Sequence, residues 1–275
     1  MNSAKKIVII SAALICVGFI TFPLLTESKS GGNTNYITPE NYIKNHNEVD
    51  STSRSKYCIL TAYSKFLNQV SGDTIFWMDG TKMVWDDKKK KSAEEQIENP
   101  DIEDMMAIEY YTGEKWKAPP PEKYDPGRAR NELFFKKIYG RNSKEVNANL
   151  INVKWFSSFV TFNKINGAAD SLRKVESALR KLDRGLQKYV SVTKGTFNWR
   201  NIAGTDKLSA HSFGIAIDIN TDFSHYWRYG NLKKYQNKIP KEIIEVFERY
   251  GFIWGGKWYH YDTMHFEFRP EYFVK

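Results

Sequence analysis

The chain is poor in cysteine, with two in 275 residues, Cys16 and Cys58. Cys16 lies in an apolar N-terminal run, so the folded part holds a single thiol. That excludes an internal disulfide framework and a cysteine zinc site. Any metal must then be held by His, Asp or Glu, and histidine is itself scarce, at 5. The His-x-Asp pair usual in a non-haem iron triad is absent. So are a βαβ rhythm, an internal repeat and any stretch matching a nucleic-acid-binding motif. Positive charge is plentiful, at a net +9, but it is scattered over Lys88 to Lys91, Arg128, Arg130, Lys136, Lys137, Lys233 and Lys234. A positive field attracts any polyanion. Without a motif it does not point to nucleic acid, and no nucleic-acid partner is expected.

The N-terminus narrows the compartment. Lys5 and Lys6 precede an apolar run from Ile7 to Leu25, which reads as an export signal or an uncleaved membrane anchor. No small-x-small cleavage site follows, and Ile15 is too large for the position before a lipoprotein cysteine. Residues 1–25 therefore lean toward an uncleaved anchor. Residues 26–52, with Ser28, Ser30, Gly31, Gly32, Asn33 and Asn35, read as a flexible tether. The expected location is the cell envelope, either the periplasm or the outer face of the cytoplasmic membrane.

From Tyr57 the chain becomes globular, with aromatics and apolar residues enough for one sizeable core. Tyr57 to Val70 is expected as a helix. Thr74 to Met78 and Lys82 to Trp85 flank Asp79-Gly80, a hairpin turn signal. Lys88 to Asp104 reads as a charged surface excursion, with Lys88 to Lys91 a solvated loop. Ala168, Leu172, Val175, Leu179 and Leu182 recur at helical spacing. A second helix is expected from Pro240, suited to a first helical position, to Tyr250, with Gly251 as its stop. Phe213 to Asn220 and Met264 to Phe268 read as strands. The fold class is α+β, an antiparallel sheet with flanking helices. Residues 53–129 form an N-terminal extension on a domain spanning 130–275.

The chemistry concentrates in Ser209-Ala210-His211-Ser212-Phe213-Gly214-Ile215-Ala216-Ile217-Asp218 and in Asp262-Thr263-Met264-His265. Ile215, Ile217 and Ile219 define a core face, and Asp218 points to the other. His211 is an odd seven residues before Asp218, but Gly214 can supply the bulge that joins them. Phe266 and Phe268 mark one face of the last strand, His265 and Glu267 the other. If the two strands are neighbours, Asp218 and His265 meet. Two His and one Asp suit zinc at an open catalytic site, with Asp262 as a base that is not a ligand. Arg200 offers a cation for an oxyanion or a substrate carboxylate. From spacing alone, a capping His211, a structural Asp218 and a half-buried His265 remain open.

Ser209-x-His211-x-x-Gly214-x-Ala216-x-Asp218 with Asp262-x-x-His265-Phe266 resembles the zinc D-alanyl-D-alanine carboxypeptidases of the VanY type. That family includes L-alanyl-D-glutamate endopeptidases, and its core is also seen in the hedgehog signalling domain. The likeness extends through Trp199-Arg200 and Trp254-Gly255-Gly256-Lys257-Trp258. It implies zinc held by His211, Asp218 and His265, and Asp262 as general base, where many relatives have Glu. It implies Arg200 on the substrate and the tetrahedral intermediate. Ser209 would stand at the site edge, or serve local backbone bonding. Trp258 would line the groove or the core. The implied substrates are peptidoglycan stem peptides, with an inactive wall-peptide-binding relative as the rival reading. His260 and His225 read as surface or supporting residues, Glu267 as a ligand-orienting group or a salt-bridge partner, and His46 as chemically idle.

Overall fold

The computed structural model describes residues 36–37, 51–229 and 234–275. The 1–25 segment, most of the expected tether and His46 lie outside the described residues. Among the described residues no helix is long and apolar enough to cross a membrane.

Tyr36–Ile37 (β1) lies within the expected tether but pairs antiparallel with the strand Leu67–Ser71 (β2). The helix expected over Tyr57 to Val70 divides. It runs over Ser51–Ala62 (α1) and buries Tyr57, Cys58, Ile59 and Leu60. A turn follows, in which Phe66 N–H donates to the Tyr63 carbonyl (2.8 Å). Then β2 buries Leu67 and Val70 against Thr74–Trp77 (β3), with a bulge between Leu67 and Gln69 setting these two, three residues apart, inward. Pairing with a neighbouring strand outweighs the local helical signal, because strand pairing is settled by contacts outside the segment. Lys82–Val84 (β4) completes the expected hairpin, and Gly80, at φ +81°, turns it.

The charged stretch over 88–104 runs largely along the surface, with Lys88, Lys89 and Lys90 exposed, but it is not without structure. It holds two short helices, Ala93–Glu98 (α2) and Ile102–Met106 (α3), each begun by a capping box. The Lys91 side chain, at 7% exposure, is tucked in rather than solvated. Its Nζ lies 3.0 Å from Asp101 and 2.5 Å from Asp104, because two buried capping carboxylates require a counter-charge.

Next come Glu132–Tyr139 (α4), Ser143–Ala148 (α5), a hairpin of Leu150–Trp155 (β5) and Ser158–Asn163 (β6), and Ala168–Leu179 (α6). The sheet that carries the candidate site is formed by Thr193–Gly195 (β7), Ala216–Ile219 (β8), Phe252–Trp254 (β9) and His265–Phe268 (β10). Its order is β7-β8-β10-β9 and every pairing is antiparallel. Lys241–Arg249 (α7) precedes β9, and Pro240 stands outside the helix as its cap rather than at its first position. The architecture is α+β with antiparallel sheets.

One face of that sheet is apolar. Phe266 stacks on Phe247 of α7 with centroids 3.8 Å apart, and Phe268 meets Phe252 edge-on at 5.4 Å. Ile217 and Ile219 are fully buried. The other face carries Asp218, His265, Glu267 and Arg269. The strand expected over Phe213 to Asn220 is shorter at its start, since Ala210–Phe213 form a 3-10 turn. Gly214 ends that turn at φ +64°, donating its N–H to the His211 carbonyl (3.1 Å). A Cβ there would lie 2.5 Å from Leu150 Cδ2. Gly214→Ala is expected to cost about 2–4 kcal/mol, combining left-handed strain with overpacking. The urea midpoint should fall while the slope is unchanged.

Candidate functional site

Strand register makes the site. Asp218 on β8 stands directly opposite His265 on β10, so their side chains share one face. His211 arrives from the 3-10 turn rather than from a strand. Ser209 caps that turn, its Oγ accepting from His211 N–H (3.4 Å), and its own N–H donates to the Arg200 carbonyl (3.0 Å). Ser212 Oγ donates to the same carbonyl (2.8 Å) and accepts from Arg200 N–H (3.0 Å). These bonds lash the 198–200 segment to the turn and seat Arg200 at the rim.

The three ligating atoms converge. Asp218 Oδ1 lies 3.2 Å from His211 Nε2 and 3.1 Å from His265 Nδ1, and the two ring nitrogens are 3.2 Å apart. The other nitrogen of each imidazole decides what these atoms carry. His211 Nδ1 meets the Thr196 carbonyl (3.1 Å), which can only accept, so Nδ1 bears the hydrogen and Nε2 a lone pair. His265 Nε2 faces the Glu267 carboxylate (3.5 Å) and bears its hydrogen in the same way, leaving Nδ1 a lone pair. Two lone pairs and a carboxylate oxygen thus point at one another, an arrangement that requires a cation among them. A proton can serve. Burial lowers the His265 pKa, but bonds to Asp218 and Glu267 outweigh it and hold it up at about 9. Burial raises the Asp218 carboxyl, and the imidazoles, foremost His211, pull it far below the usual range. A metal ion suits the same donors, which lie within 4.8 Å of one another. Two imidazoles and one carboxylate are a zinc-type set that leaves a coordination position open.

Asp262 stands beside the cluster without joining it. Its backbone N–H donates to the Gly255 carbonyl (3.0 Å) and its carbonyl accepts from His265 N–H (3.2 Å). Gly255 is required by proximity, because a Cβ there would lie 2.6 Å from the Asp262 carbonyl oxygen. The Asp262 Oδ1 is buried with no hydrogen-bond partner among the described residues. Burial, then the charge of Asp218, push the carboxyl up to about 6. A readily protonated carboxylate with one oxygen left without a partner, next to a cation site, is suited to proton transfer.

A groove of about 300 Å³ opens over these residues, lined also by Arg128, Arg130, Arg200, Ser209, Tyr226, Trp227, Trp258 and His260. Arg200 is exposed at its rim. Trp258 lines the groove, with its ring 5.5 Å from that of His265, and it is buried, donating Nε1–H to the Pro126 carbonyl (2.7 Å). His260 is a wall residue held by Asp125 (2.7 Å). His225 stays outside the groove lining, and its backbone N–H donates to Thr263 Oγ1 (2.7 Å). Glu267 is fully buried and bound by Arg130 through Nε (2.8 Å) and Nη2 (2.5 Å). Sequence reasoning missed Asp125, Arg128 and Arg130 as site residues. They lie about 80 or more residues before the histidine motif, and nothing in their spacing links them to it. The aromatic run Tyr226-Trp227 was a readable signal that went unused.

Residues 203–268 match the model of a family described as D-alanyl-D-alanine carboxypeptidase. The matched stretch contains Ser209, His211, Asp218, Trp258, Asp262 and His265, while Arg200 and the arginines of the extension fall before it. No curated protein and no solved structure matches the chain. The match supports a peptidase of the D-alanyl-D-alanine carboxypeptidase family, and the α+β architecture and the His211–Asp218–His265 cluster are compatible with that family.

Proposed function

We propose that the protein is a zinc-dependent D-alanyl-D-alanine carboxypeptidase acting on peptidoglycan stem peptides at the cell envelope, to which residues 1–25 would deliver or anchor it. One observation carries the reading. Three converging lone-pair donors stand beside the Asp262 carboxylate, whose Oδ1 is buried without a partner, in one groove. Zinc held by His211, Asp218 and His265 would supply Lewis acidity to the attacking water and the scissile carbonyl.

This chain's own residues do the rest. Glu267 and the Thr196 carbonyl hold the two imidazoles in the tautomers that ligation needs. Asp262 accepts a proton from the attacking water and returns it to the departing amine. The desolvation that raises its pKa also makes it a competent acid for the second step. Arg200 reaches over the groove and balances charge developing on the carbonyl oxygen. Trp258 and the Tyr226–Trp227 wall exclude water from one side.

The test is mass spectrometry of muropeptides and of a stem pentapeptide after digestion by the full chain. Loss of one D-Ala is expected, abolished by a chelator and restored by zinc. A cut between L-Ala and D-Glu would replace the carboxypeptidase with an endopeptidase. Zinc binding without any cleavage would replace the enzyme with a wall-peptide-binding protein.

A further inference from the structure

We propose that Arg128, supplied by the N-terminal extension, is the specificity-determining residue that grips a carboxylate of the substrate. This rests on the peptidase reading of the groove. Three arginines line that groove, and their partners differ. Arg130 is committed to Glu267 through both Nε and Nη2. Arg200 is exposed at the rim. The Arg128 side chain is 19% exposed, and its one charged contact is Asp125, 3.4 Å from Nη1. Among the described residues no other acceptor meets its guanidinium, so a fork of N–H donors faces the groove. Such a fork matches a carboxylate bidentately.

The guanidinium is held in place rather than free to wander. Asp125 is buried and binds His260 twice, accepting from the backbone N–H (3.0 Å) and from Nδ1 (2.7 Å). Burial pushes the Asp125 carboxyl up, but the His260 bond and the Arg128 charge outweigh it and keep it ionised. Trp258 supports Arg128 from the other side, its ring centroid 5.9 Å from the guanidinium carbon. The same ring is 5.5 Å from the His265 ring. A carboxylate on Arg128 therefore lies within about three residues of the histidine cluster, at roughly 3.3–3.6 Å per extended residue. Both a C-terminal carboxylate and an internal glutamate carboxylate satisfy that reach. Asp125 is a positioning residue here, and it acts only through Arg128 and His260.

The experiment compares three pentapeptides: the free acid, the C-terminal amide, and a form with isoglutamine in place of the internal glutamate. Cleavage is measured on the full chain, and binding on Asp262→Ala by calorimetry. The intact protein should prefer one carboxylate-bearing form at least tenfold. Arg128→Gln should erase that preference, mainly by raising KM, with metal content unchanged, and Arg128→Lys should restore part of it. Loss of preference on the C-terminal amide assigns the terminal carboxylate, and loss on the isoglutamine peptide the internal one. A preference that survives in Arg128→Gln, or none in the intact protein, overturns the proposal. Carboxylate-dependent binding without cleavage by the intact chain would leave Arg128 its role and overturn the peptidase reading instead.

Discussion

Asp262→Asn should lower kcat by about 10²- to 10⁴-fold, the range of a lost general acid–base group. Metal content should stay near one ion per chain, because the Asp262 carboxylate is not among the converging donor atoms. Asparagine keeps the shape and the backbone bonds to Gly255 and His265, so a fall in stability is not expected to explain the loss. The intact enzyme should also show an acid limb in kcat/KM. Asp262 works as the carboxylate, and burial holds it up at about 6 without a metal. A dication on the neighbouring donors favours the ionised form. Activity should therefore be full at neutral pH and fall with one proton as pH drops below about 6, and the Asn variant should lose that limb. Full activity in Asp262→Asn would remove Asp262 from the mechanism.

Arg269→Ala should be the most destabilising substitution of those considered. The polar face of β10 continues past the site as a ladder. Arg269 Nη1 lies 3.5 Å from Glu267, and its Nε donates to Glu271 (2.5 Å). Tyr63 of the extension donates its hydroxyl to Glu271 (2.9 Å), and Arg269 Nη1 donates to the Gly127 carbonyl (2.6 Å). Arg269, Glu267 and Glu271 are all fully buried. Removing the cation takes the buried Glu271 carboxylate's charged partner, while Glu267 keeps Arg130, at about 3–5 kcal/mol. The melting temperature should fall by roughly 6–20 °C, taking 2–4 °C per kcal/mol for a domain this size.

The pH dependence follows from Glu267. Burial raises its carboxyl, but the Arg130 charge and the bonds from His265 and Arg130 outweigh that and hold it far below the usual range. A depressed folded pKa gives stability that is present above the unfolded value, roughly 4.3 for Glu, and is lost as pH falls through the folded value. The difference in melting temperature between wild type and Arg130→Ala should thus be widest near neutrality and shrink in acid. A gap that widens in acid would show that Arg130 does not hold Glu267 as an ionised carboxylate.

How far the site could be read along the chain depends on where its partners lie. His211 through Asp218 and Asp262 through His265 are short runs whose alternation assigns faces, so their shared face was readable given adjacent strands. That adjacency is a matter of topology, and register then places Asp218 opposite His265. The helix expected through Val70 failed for a related reason. Apolar spacing in a short segment fits both periods, and β3 decides between them from outside the window. Lys91 reads as a solvated charge because its partners, Asp101 and Asp104, become its partners only when the capped helices fold back.

The sequence by itself determined the donor types. One thiol in the folded part leaves His, Asp and Glu as the side chains able to hold a metal, and the family resemblance singles out His211, Asp218 and His265 among them, with Asp262 as a nearby base. Tertiary structure alone decided which lone pairs face inward, which carboxylate oxygen stays unpartnered, and that Arg128, held by Asp125, joins the groove wall. Tautomer, desolvation and charge pairing are properties of neighbours in space, and here those neighbours stand up to about 140 residues apart in the chain.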